Sequence, residues 1–190
     1  MAANNLRVKV ASESWELEQI HALNYRTFVE EIPQHSPNDE RRLVDRLLAR
    51  SRCYVCLEER RLRGMVAVCA ERPFSLDAKL ADLDSYLPAH RQLCEVRLLA
   101  VDKDDRGGLV YAALMGALLN HCKQSGYDLC VLSGAVSQLA LYHHMGCVPF
   151  GPPLGTEKAP YQGMYLNWDR LSPTLLRRCQ LAEPMEGRDA

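Results

Sequence analysis

The sequence predicts an α/β (α+β) fold, a mixed β-sheet with helices on both of its faces. Three observations point there. Short alternating or continuous apolar runs of strand length recur between longer stretches with helical apolar spacing. One unit, Glu95 to Ser133, reads strand, loop, helix, strand, the pattern of a parallel crossover. The chain of 190 residues is also long enough to bury a substantial core in one domain. We expect residues 1–168 to form that domain and 169–190 to add a C-terminal helix and a polar tail.

Leu6, Val8 and Val10 alternate with Arg7 and Lys9, as in a first strand. Ser12 or Ser14 can cap a helix over Trp15 to Glu30, with Ile20, Leu23, Phe28 and Val29 as its stripe. Ser36, Pro37, Asp39 and Glu40 read as a second helix start, with Leu43, Val44, Leu47 and Leu48 as the buried face. The apolar runs Cys53–Glu58 and Met65–Ala70, joined by EERRLRG with Gly64 closing the connection, predict a hairpin. Residues 72–92 are irregular, and a loop of that length is often functional. Glu95–Val101 is the central strand. A helix follows from Gly107 or Gly108 to Gln124, with Leu109, Val110, Leu114, Leu118 and Cys122 inward and Gly126 as its stop. Asp128–Ser133 predicts a strand and Val136–Met145 a short helix stopped by Gly146. Cys147–Phe150 and Met164–Trp168 predict two strands separated by a Gly/Pro loop, and a last helix runs from Ser172 through Leu181.

Composition bounds the function. With 23 basic against 24 acidic residues, no nucleic acid or anionic membrane is expected as a partner. The first residues lack the apolar core of a secretory signal, and no apolar run approaches the roughly 20 residues of a membrane helix. The eight scattered cysteines read as reduced core thiols of a cytoplasmic protein. Cys53 and Cys56 form a CxxC without a second pair, and in a strand they face opposite sides, so no metal is expected.

The stretch CEVRLLAVDKDDRGGLVY, Cys94 to Tyr111, ends a strand in a charged turn and a Gly-Gly step before a helix. Converging N–H groups and the macrodipole make such a helix start a seat for phosphate. Val101, four residues, then Arg106-Gly107-Gly108-Leu109-Val110-Tyr111 resembles the strand and R-G-x-G-x-G/A loop of Gcn5-related N-acyltransferases. Leu141-Tyr142-His143-His144-Met145-Gly146-Cys147 is similar to that family's downstream L-Y-x-x-x-G-F. The resemblance covers roughly Leu6 to Trp168. It implies a sheet with a splayed central strand and acyl transfer from a thioester to an amine. Leu99, Val101, Arg106, Gly107, Gly108, Leu109 and Val110 would then bind the donor, acyl-CoA or an acyl-phosphopantetheine on an acyl carrier protein. Leu109 and Tyr111 replace glycines that let backbone approach a pyrophosphate, which implies a looser seat.

Within the superfamily, Glu95 six residues before Val101 and the helix end Tyr25-Arg26-Thr27-Phe28-Val29-Glu30-Glu31 resemble the acyl-homoserine-lactone synthase and N-acyl amino acid synthase branch. Asn24 stands where that branch usually has an arginine, Arg97 where it has Ser or Thr, and Leu98 where it has Arg. Its D-x-x-D pair is here Asp45 and Leu48. Lactone-forming chemistry is therefore not implied.

The resemblance makes Glu95 a candidate base for the amine, against a structural Glu95–Arg97 ion pair. Arg97 can instead hold a substrate carboxylate, which suits its fork. Tyr142 is the candidate acid for the leaving thiolate, against a core tyrosine, while His143 and His144 read as a solvated helix end. His35, Arg72 and Phe28 are further candidates for the acceptor. Neither Cys94 nor Cys147 has a sequence-local arrangement of His with Asn or Asp, and direct transfer needs no nucleophile from the protein. The function expected is transfer of an acyl group from acyl-CoA or an acyl carrier protein to the amine of a small molecule, amino acids included. The competing reading is a non-catalytic acyl-thioester-binding or accessory domain beside a partner enzyme.

Overall fold

The computed structural model describes residues 6–106 and 108–181. Strands β1 (Leu6–Val10), β2 (Ser51–Glu58), β3 (Arg61–Cys69), β4 (Leu93–Val101), β5 (Leu129–Ala135), β6 (Val148–Thr156) and β7 (Ala159–Asn167) form one sheet, ordered β1-β2-β3-β4-β5-β7-β6. Every neighbouring pair is antiparallel except β4 and β5, the parallel pair expected of the crossover. Helix α1 (Ser14–Tyr25) covers one face, where Ile20 and Leu23 meet Val55, Met65, Ala67 and Ala100. Helix α2 (Leu109–Gln124) covers the other, where Val110, Leu114 and Leu118 meet Cys56, Val66 and Val68. Residues one apart on β2 and β3 thus enter different cores, as the period of two in a strand requires. Helices α3 (Leu139–Met145) and α4 (Pro173–Leu181) complete the second face. The polar tail lies outside the described residues.

Several local expectations are corrected. The cap of α1 is Glu13, not a serine: Glu13 and Glu16 form a capping box, and Glu16 also takes the N–H of Ser12 and the Lys9 ammonium at 2.7 Å. The helix continues over Arg26–Glu31 as a π-helix, a wider turn often found at functional sites. The second helix does not form. Residues 38–47 are turns and extended chain, followed by a 3₁₀ turn at Leu48–Arg50, and Val44 is exposed. Part of the segment's bonding goes to α1: Leu43 N–H donates to His21 O, and the Tyr25 hydroxyl pairs with Asn38.

Gly64 does not close the hairpin connection, which turns at Glu59 and Arg60. It sits inside β3 where α2 lands, and a β-carbon there would meet Val110 at 2.9 Å. Leu109 faces solvent instead of the core because it opens its helix. The Gly/Pro segment after Phe150 is largely strand. β6 and β7 form a long hairpin, with Pro152 and Pro153 in a break of register on an edge strand, where proline costs no ladder bond. All eight cysteines are free and buried, with Cys53 and Cys56 in different cores. No described helix is long and apolar enough to cross a membrane.

Candidate active site

β4 and β5 bond to each other only across Leu93–Glu95 and Leu129–Val131. Beyond that they part, although β4 stays paired to β3 as far as Val101 and β5 to β7 as far as Ala135. The cause lies in β4. Leu98 has φ +52°, and Arg97 pairs with Ala67 while Ala100 pairs with Met65, so β4 carries one extra residue. Such a bulge bends and overtwists its strand. At the paired end, Asp128 accepts the N–H groups of Arg91 and Gln92 and closes the fork.

The fork opens a cleft of about 860 Å³, its mouth included. Thr27, Phe28, Ile32 and Gln34 line it from the α1 side; Arg97, Leu98 and Leu99 come from β4. On the other side it is apolar, with Met115, Leu118, Met145, Leu166 and Trp168. Trp168 is held there by an Nε1–H bond to Tyr127 O at 2.6 Å. The splay leaves residues 96–99 and 132–135 on the cleft wall without β4–β5 pairing, where an extended ligand can pair with them.

Tyr142, on α3, lines the cleft against Gly134. Burial pushes its pKa up, with Cys147 adding to the effect, so the phenol keeps its proton. Among the described residues its hydroxyl has no hydrogen-bond partner, which leaves a neutral proton donor facing the cleft.

Glu95 is placed differently from the base expected. It is 1% exposed and absent from the cleft wall. Its carboxylate accepts the Ser75 N–H at 2.9 Å, the Ser75 hydroxyl at 2.6 Å and the Leu76 N–H at 3.2 Å. Those bonds pin the irregular 72–92 segment to the sheet. Arg97 stands 3.7 Å away, but its closer partner is Asp45 at 2.7 Å. The Arg97 Nε and Nη1 and the Asp45 Oδ2 are buried without hydrogen bonds.

Arg72 is not brought to the cleft: it forks onto Asp84 at 2.5 and 2.9 Å. His35 is exposed beside Gln34, its pKa lowered by desolvation and then by the Lys79 charge. Of the donor-loop candidates, Leu99 lines the main cleft. Gly108 caps α2 and, with Arg106, Leu109 and Val110, lines a second recess of about 530 Å³. Arg106 is engaged by Glu31 at 2.5 Å and donates to Val101 O. Gly107 lies outside the described residues. The thiols are poor nucleophiles: burial pushes Cys147 to about 12 and raises Cys130, and Cys94 is raised by its bond to Cys122 and by burial. No group of three or more His, Cys, Asp or Glu among the described residues is placed to hold a metal ion.

The sequence presents Thr27 and Asp45 only as members of family-like segments, and it does not single out Ser75 and Gly134 at all. Gly134 is a glycine near a strand end, where close approach is common. Asp45 and Arg97 are 52 positions apart, and no local pattern joins them.

The family model of the N-acyl amino acid synthase FeeM matches residues 19–167. Among solved structures, a CoA-dependent acyl-homoserine lactone synthase, BjaI, with MTA, superposes with TM-score 0.73 at 21% identity, covering 94% of this chain and 90% of that one. The acyl-homoserine lactone synthase LasI gives 0.70 at 18%, covering 98% and 100%. FeeM from uncultured soil microbes gives 0.67 at 15%, covering 93% and 96%. At these identities the structures establish the fold. A search of curated proteins finds no match.

Proposed function

The chain belongs to the N-acyl amino acid synthase FeeM family, and we propose that its acceptor is an α-amino acid whose carboxylate docks on Arg97. It is an acyltransferase that moves an acyl group from a thioester to an amine, so the reading as a non-catalytic accessory domain falls away. The observation that carries the acceptor assignment is the buried Arg97–Asp45 pair. Arg97, which lines the cleft, has its Nη1 without a hydrogen bond and its Nε 3.7 Å from the Glu95 carboxylate, and Asp45 has one oxygen without a hydrogen bond. A zwitterion fits such a pair, its carboxylate on the guanidinium and its ammonium on the carboxylate.

In this reading the acyl chain occupies the apolar side of the cleft and the donor arm lies along the unpaired edges of β4 and β5. The ammonium gives one proton to Asp45 Oδ2, and the neutral amine attacks the thioester carbonyl. As the carbon–sulfur bond breaks, the leaving sulfur takes the Tyr142 proton, and the second proton shed by the nitrogen restores the phenol. Helix α2 begins at Gly108 and Leu109, and its free N–H groups suit the phosphate of the donor, acyl-CoA or acyl-phosphopantetheine.

The test is a mass-spectrometric search for N-acyl amino acids after incubation with the twenty amino acids and either acyl-CoA of graded length or acyl carrier protein. Formation of N-acyl amino acid, lost in Arg97→Met, is expected. Acylation of decarboxylated amines at the same rate, or an undiminished Arg97→Met, overturns the assignment. The two donor arms decide between CoA and carrier protein.

A further inference from the structure

The cleft ends at one level on each strand and helix of its apolar side. On β5 the lining starts at Cys130 and not at Leu129; on α2 it stops at Leu118, one turn before Cys122. Past that level the core is closed, with Cys122 and Cys94 both 0% exposed and in one cluster. Trp168 stands at the boundary. β7 sets Leu166 opposite Cys130 and Asn167 opposite Leu129, and Trp168 follows directly in the turn that leaves the strand.

The indole is braced from behind. Its Nε1–H donates to Tyr127 O at 2.6 Å, and the Tyr127 N–H donates to Cys122 O at 3.0 Å, at the end of α2. The Tyr127 ring in turn meets His121 edge-on. The side walls are softer: Met115 and Met145 are unbranched thioethers that can repack around a ligand. The pocket is therefore adaptable in width and fixed in length. We propose that Trp168 is the stop of the acyl pocket and sets the longest acyl group the enzyme accepts. The inference rests on the reading above that the acyl chain occupies the apolar side of the cleft, and it adds the chain length. The reacting carbon lies by Tyr142, whose ring rests on Gly134, and Trp168 lies level with Cys130. From Gly134 to Cys130 the strand runs roughly 13 Å. Three bonds of an extended chain span about 3.5 Å, so the pocket takes an unbranched acyl group of about ten carbons.

The experiment measures binding of straight-chain acyl-pantetheines of graded length, each made with and without a bromine on its last carbon. Pantetheine is the arm that CoA and a carrier protein share, and binding needs no acceptor. Each methylene that finds apolar room tightens binding by about fourfold, so affinity should climb with length up to decanoyl and fall beyond it. In Trp168→Ala and Trp168→Leu the climb should continue past decanoyl, with hexanoyl bound within about threefold of wild type. A bromine at the end of the decanoyl chain should quench Trp168 emission. Trp15, the other tryptophan, lies under Arg60 outside the cleft wall, and Trp168→Phe gives its emission alone. Wild-type affinity that climbs through to palmitoyl overturns the inference, as does Trp168 emission untouched by the bromine, and neither needs a variant to fold. The same cut-off in both Trp168 variants overturns it too. Failure to bind at every length sinks the reading of the cleft as the acyl pocket and this inference with it, whereas loss of the acceptor assignment at Arg97 would show only in the acylation assay.

Discussion

The ring of Tyr142 rests on the α-carbon of Gly134, so close that a β-carbon on the glycine would lie 2.7 Å from the phenol oxygen and nearer still to the ring. The strand and the short helix can meet at the cleft only because position 134 has no side chain. Gly134→Ala should therefore push the phenol out of place. Misplacement by about 1 Å can cost on the order of 100-fold, so we expect kcat to fall by about that factor with a smaller change in KM. Steady-state kinetics on the variant checks this, and an unchanged kcat removes Tyr142 from the proton path.

Tyr142→Phe should lower kcat by about 10²- to 10⁴-fold, the usual range for a general acid, with the melting temperature near wild type. The pH profile adds a second check. Because the folded pKa lies above the ordinary value of 10, the required proton stays on through mildly alkaline solution. kcat should thus hold steady from pH 8 to about 9. A fall with a midpoint below pH 9 would show that another group supplies the proton.

Glu95 separates anchoring from catalysis. Glu95→Ala leaves two backbone N–H groups and a hydroxyl without their partner and takes one of two carboxylates from Arg97, and should cost about 3 kcal/mol or more. Urea unfolding measures it. Glu95→Gln keeps the shape and should lose stability while retaining transfer within about tenfold, well short of a base's contribution. A Glu95→Gln protein that melts like wild type but is slower by about 100-fold would restore Glu95 as the base.

Asp128 clasps the paired end of the fork. The N–H groups of Gln92 and Arg91 and the Arg91 side chain hold its carboxyl below the ordinary value of 3.8, against the smaller opposing effect of burial. A folded pKa below the unfolded one stabilises the protein above pH 4 or so and ceases to do so as acid protonates the group. Asp128→Asn should cost about 1 kcal/mol or less at pH 7, since the side chain is partly exposed. That difference should shrink as the pH falls from about 4 towards 2. Paired unfolding curves at pH 7 and pH 3 test it.

Sequence reading placed strands at Leu6–Val10, Cys53–Glu58, Met65–Ala70 and Glu95–Val101 and a helix from Gly107 or Gly108, close to the observed elements, because each is written in local apolar periodicity that the tertiary structure does not override. It also reached the acyltransferase family, through two short motifs whose glycines and tyrosine do local work at the donor loop and at Tyr142. The short helix expected to start at Pro37 and bury Leu43, Val44, Leu47 and Leu48 failed because the Leu43 N–H and Asp45 have partners on α1 and β4, which no window of neighbouring residues contains. The same limit applies to Glu95, whose hydrogen-bond partners Ser75 and Leu76 come from the long loop between β3 and β4. Periodicity and loop motifs are properties of neighbours along the chain, and the sequence alone determined those. The splay of β4 from β5 and the meeting of Arg97 with Asp45 and Glu95 depend on groups many residues apart, and only the folded chain decided them.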